Sequence, residues 1–196
     1  MSKLLPVLLL VLLLVGLPSC MRRPEPDIAV NLPPPDWDFW GSPSAVTAML
    51  QTDPAGDDLG FGLVADWSEM RGTYDPYYIY IRVDVHSSPD LDATGDIHYK
   101  VFLDANNSGV FDVTDYVLSY NLTDGFVVED FQGVATGAGA QFRLNATGGI
   151  DFAFPRHMVN YVSFGVRAFT ECWQLTDFEP GDEMPDTGTL AVFAFN

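Results

Sequence analysis

Tyr77-Tyr78-Ile79-Tyr80-Ile81-Arg82-Val83-Asp84-Val85-His86 sets Tyr77, Ile79, Ile81, Val83 and Val85 on one side and Tyr78, Tyr80, Arg82, Asp84 and His86 on the other. Side chains alternate between the faces of a strand, so this period of two predicts a half-buried β-strand. The run His98 to Leu103 repeats it, with Tyr99, Val101 and Leu103 inward and His98, Lys100 and Phe102 outward. Further runs of strand character are Trp67 to Gly72, Asp115 to Tyr120, Phe126 to Asp130, Ala140 to Leu144, Gly149 to Phe154, Tyr161 to Phe169 and Leu190 to Phe195. Turn residues break them up, as at Thr123-Asp124-Gly125, Gly137-Ala138-Gly139 and Thr147-Gly148-Gly149. The expectation is an all-β chain: a two-sheet antiparallel β-sandwich, jelly-roll-like, of about 8–10 strands. At most one short helix is expected, after Ser42, with Ser42 as cap and Pro43 at the first helical position. The same segment also reads as an edge strand.

Between two of these strands lies Asp104-Ala105-Asn106-Asn107-Ser108-Gly109-Val110-Phe111-Asp112-Val113-Thr114-Asp115. Oxygen-bearing side chains at positions one, three, five, nine and twelve, with glycine at six, have the spacing of a calcium loop. Asp104, Asn106 and Ser108 would supply side-chain oxygens and Val110 a backbone carbonyl. Asp112 would bind directly or through water, and Asp115 would close the site. Serine at position five and aspartate instead of glutamate at twelve suit a weak extracellular site, of roughly 0.1–1 mM affinity. The same residues are also favoured in a plain Asn-Asn-Ser-Gly turn that needs no metal.

The chain opens with Met1-Ser2-Lys3, the apolar run Leu4 to Leu17, then Pro18-Ser19-Cys20. A basic start, an apolar middle and small residues before the cut describe a secretory signal over 1–19. Leu17 to Cys20 further resembles the lipobox of bacterial lipoproteins, with Cys20 as the lipidated residue. An ordinary cleaved signal, giving a secreted protein, or an uncleaved single anchor is the alternative, the apolar run being slightly short for a full span. Residues 20–36 then form the anchor cysteine and a proline-rich, semi-rigid tether. The remaining 37–196 have the length of one sandwich domain. With Cys20 lipidated, Cys172 has no disulfide partner and reads as an inert, buried thiol.

The formal charge is −18 and the only lysine beyond the signal is Lys100. Nucleic acid is thereby disfavoured as a partner, since phosphate binding needs a basic patch. The expected partners are a membrane, reached through the lipid, and a glycan or an envelope protein.

Several segments carry a family likeness: Asp53-Pro54-Ala55-Gly56-Asp57-Asp58, Ala65-Asp66-Trp67, Tyr99 to Asp104 with Gly109 and Asp115-Tyr116, and Asp182 to Gly188. From about residue 50 onward the chain resembles the type 9 carbohydrate-binding modules and their DOMON-like relatives. The resemblance implies an extracytoplasmic two-sheet sandwich with structural calcium, and sugars or haem as ligands in some branches. No tryptophan pair among Trp37, Trp40, Trp67 and Trp173 is assigned as a sugar clamp, and no haem motif surrounds Met70, Met158 or His157.

The outward face of the Tyr77–His86 strand, with Tyr78, Tyr80, Arg82, Asp84 and His86, is the expected ligand surface, because rings stack on sugars while charged groups bind hydroxyls. A face covered by a loop would look the same in sequence. Asp84 with His86, and Asp96 with His98, would form a transition-metal site if their strands were neighbours. No nucleophile elbow, zinc-protease motif or phosphate loop is present, so the chain reads as a non-enzymatic, lipid-anchored, extracytoplasmic binding module, with Ca²⁺ as structural ion. A structural or protein-interaction component of the cell envelope is the alternative.

Overall fold

The alternating run is strand β3, Tyr78–Val85, in the computed structural model of the protein. The structure describes residues 31–41, 48–57, 62–87, 91, 95–130, 132–134, 136, 139–145, 149–159, 163–174, 177–184 and 191–194. The expected signal, Cys20 and most of the expected tether lie outside them, as do residues 42–47, where the helix was expected.

In chain order the remaining strands are β1 (Ala48–Thr52), β2 (Trp67–Tyr74), β4 (Ile97–Asp104), β5 (Tyr116–Asn121), β6 (Gly125–Asp130), β7 (Gln141–Leu144), β8 (Gly149–Pro155), β9 (Ser163–Gln174), β10 (Asp177–Met184) and β11 (Ala191–Ala194). All pair antiparallel in two sheets, ordered β1-β2-β3-β8-β7 and β10-β9-β4-β5-β6, with β11 also on β9. The all-β two-sheet sandwich is as the alternation requires. The eleven strands among the described residues exceed the expected number because β1 and β10 lack an apolar alternation. β10 reads Asp177-Phe178-Glu179-Pro180-Gly181-Asp182-Glu183-Met184, which has the composition of a turn.

The inward positions of both sheets meet in one core. Ile79, Ile81, Val83 and Val85 of β3, Ile150, Phe152 and Phe154 of β8, and Met70 of β2 come from the first sheet. Tyr99, Val101, Leu103, Leu118, Tyr120, Val128 and Met184 come from the second. Aromatic pairs join the layers: Trp67 meets Tyr99 edge-on at 5.7 Å, and Tyr116 meets Phe154 at 5.0 Å. Each such side chain stabilises the fold by about 1.5–3 kcal/mol on burial.

Part of the outer face of the first sheet is also covered. A short 3-10 turn, Trp37–Gly41, and the residues before it meet side chains of β3 and Arg143 of β7. The Tyr78 hydroxyl donates to the Pro33 carbonyl at 2.8 Å, and the Asp36 N–H donates to the Tyr80 hydroxyl at 3.1 Å. Residues 33–196 form one compact unit, so positions 33–36, read as the end of the tether, pack with the sandwich.

Candidate functional site

The expected ligand face on β3 is occupied by the protein itself. Tyr78 and Tyr80 are fully buried beneath residues 33–41, and the Tyr80 hydroxyl donates to Asp75 Oδ2 at 2.6 Å. Arg82 forms a two-pronged pair with Asp151, at 2.6 and 2.8 Å, and lies under the Trp40 ring at 4.7 Å. Arg143 reaches the same carboxylate at 2.8 Å and stacks on Trp37. Asp84 accepts from Asn145 at 3.2 Å, and burial raises its pKa. His86 turns toward the end of the sheet, its Nε2 3.2 Å from the Asp53 carbonyl. Each of the five residues thus has its own internal partner. Two of the tryptophans, Trp37 and Trp40, are used up in the same cover, and Trp67 is in the core.

The His86/His98 metal site does not form. β3 has β2 and β8 as neighbours, whereas β4 has β9 and β5, because the β3–β4 connection crosses from one sheet to the other.

In the β4–β5 loop the six expected ligands lie in one hydrogen-bonded turn, but the carboxylate oxygens of Asp104, Asp112 and Asp115 do not all come within 4.8 Å of one another. Asp104 is buried and accepts the N–H groups of Ser108 at 2.9 Å and Gly109 at 2.7 Å. Asp115, also buried, accepts those of Ala105 at 2.9 Å and Asp112 at 2.7 Å. Asn106 donates to Asp112 Oδ2 at 3.0 Å, and the Ser108 hydroxyl donates to the Val110 carbonyl at 2.7 Å. Gly109 has φ +81°, the left-handed turn its position required. Burial, with Asp112 and Asp104 nearby, pushes the Asp115 carboxyl up to about 6 against the pull of its two N–H donors. Backbone N–H groups Asp104 and Asp115 accept take only part of the roughly four lone-pair sites of each carboxylate. The turn is therefore ordered by hydrogen bonds to its own backbone.

A second acidic site is brought together from the ends of the chain. Oxygens of Asp53, Asp57 and Asp182 all lie within 4.8 Å of one another; among the described residues this is the one such group of three. Carboxylate oxygens gathered this closely could hold one metal ion between them. Asp53 follows β1, Asp57 ends the next turn, and Asp182 is on β10 at a bulge between Pro180 and Asp182. A bulge re-aims a strand side chain, which accounts for an acid turned to this corner. Asp182 is fixed by the N–H groups of Trp67 at 2.7 Å and Glu183 at 2.6 Å. Its pKa is raised by burial, with Asp57 and Asp66 adding repulsion. Asp66, fully buried, accepts the Gly56 N–H at 2.8 Å and has His86 Nε2 at 3.9 Å. The sequence showed Asp53, Asp57, Asp66 and Asp182 only as parts of separate family-like segments; nothing in their spacing announces that they meet.

In comparisons with protein-family models, with characterised proteins and with solved structures, nothing matches this chain.

Proposed function

We propose that this chain is an extracytoplasmic binding module, anchored to a membrane through lipid on Cys20, stiffened by calcium and directed at a carbohydrate. The observation that carries the reading is the convergence of Asp53, Asp57 and Asp182 at 4.8 Å or less, two of them buried, with buried Asp66 beside them. Carboxylates crowded in a poorly hydrated corner repel one another, and a divalent cation converts that repulsion into a cross-link. An all-oxygen donor set suits Ca²⁺ and not the softer transition metals. Here the ion would tie β10 of one sheet to the β1–β2 turn of the other. The likeness to carbohydrate-binding sandwiches supports the ligand class, and the signal with its cysteine supports the location.

Calorimetry of the mature chain in calcium and in chelator tests the ion. At calcium about 100 times its Kd the native state gains about 2.7 kcal/mol, which for a domain of this length raises Tm by roughly 5–10 °C. Asp53→Ala and Asp182→Ala remove this increment, and Asp104→Ala does not. The reverse pattern would move the ion to the β4–β5 loop. An unchanged Tm in every case would refute structural calcium.

A further inference from the structure

The outer face of the second sheet is shaped differently from that of the first. It holds a concavity of about 410 Å³, lined by His98 and Lys100 of β4, Ser119 and Asn121 of β5, Asp124 of the β5–β6 turn and Glu129 of β6. This volume falls in the ~300–1,000 Å³ range of small-ligand pockets. The pairing places the lining side by side: Lys100 is opposite Ser119, and Ser119 opposite Val127. The alternate positions Tyr99, Val101, Leu118, Tyr120 and Val128 point into the core, so the groove is built on a rigid floor.

Asn121, only 3% exposed, holds the rim in place. Its amide nitrogen is 2.9 Å from His98 Nε2 and donates to Asp124 Oδ2 at 3.1 Å. Its carbonyl oxygen accepts the Asp124 N–H at 2.5 Å. A ring, an amide and a carboxylate are therefore fixed before any ligand arrives, which lowers the ordering cost of binding.

The chemistry of the lining selects the ligand class. Lys100 donates, Asp124 and Glu129 accept, and Ser119 does both. An anion would meet two carboxylates and a cation would meet the lysine. Neighbouring hydroxyls on an uncharged molecule each donate and accept, and so match a groove that offers both. We infer that this groove is the carbohydrate site, and that it takes neutral saccharides through their hydroxyl groups. The inference rests on the carbohydrate reading above and gives it a location, on the opposite sheet from the tyrosine face.

The test uses the mature chain on an array of neutral mono- to tetrasaccharides of glucose, galactose, mannose and N-acetylglucosamine, followed by titration calorimetry with the best-bound member. Glu129→Ala is expected to weaken binding about 10-fold, as for a lost hydrogen bond to a charged group. Ser119→Trp fills the groove and abolishes binding, while Tyr77→Ala, at an exposed position just before β3, leaves it unchanged. Matching melting curves for all variants show that the fold is intact. Binding retained by both groove variants would overturn the site alone. No binding of any array saccharide by the unaltered chain would overturn the carbohydrate reading itself, and the groove with it.

Discussion

Asp151 and Asp115 show how the surroundings of a single carboxylate decide what it does. Asp151 is fully buried on β8 and is held by Arg82 and Arg143, themselves roofed by Trp40 and Trp37. Removing one member of a buried ion pair leaves an uncompensated charge, a loss of about 3–5 kcal/mol. Asp151→Ala should show that loss in urea titration. Asp115 has the opposite balance: burial and two neighbouring acids raise its carboxyl to about 6, above the ordinary 3.8. The folded state then holds this proton more tightly than the unfolded chain does. Its stabilising contribution is complete below about pH 4 and is lost as pH rises through about 6. In chelator, the Tm of the unaltered chain relative to Asp115→Asn should fall across that interval. A flat difference would show that the carboxyl titrates normally. None of this was legible from residue type: Arg82 and Asp84 both read as polar residues on an outer face, and only their partners distinguish them.

Strands differ in how openly their sequences declare them. β3 and β4 alternate apolar and polar residues because one side meets the core, and their existence follows from that pattern. β10 carries acids, a proline and a glycine because it bends at a bulge and delivers Asp182 to a corner, so its pattern reports the site and hides the strand. The cover formed by residues 33–41 is a comparable case. Its prolines suggested a tether, yet Pro35 is buried and Trp37 and Trp40 pack edge-on against Tyr80 at 6.0 and 6.4 Å. Trp40→Ala removes that ring pair and a cation–π contact with Arg82, together worth about 1–3 kcal/mol. Thermal melting should register the loss, and a Tm equal to that of the unaltered chain would show the cover to be loosely held.

For the molecule as a whole, Cys20→Ala should move the protein from the membrane fraction to the soluble one, and its persistence in membranes would refute the lipid anchor. Alternation and turn residues are local signals, and with the charge of −18 they let the sequence by itself determine the all-β sandwich and its acidic character. Which face is open was decided only by tertiary structure. Tyr78 and Tyr80 are separated from Pro33 and Asp36 by more than forty residues, and Asp53 from Asp182 by more than a hundred. The strand period says which residues share a side of a sheet, but not what lies against that side. Long-range packing supplies that second fact, and here it covered the outer side of β3, left a groove on the other sheet, and gathered four acids at a corner.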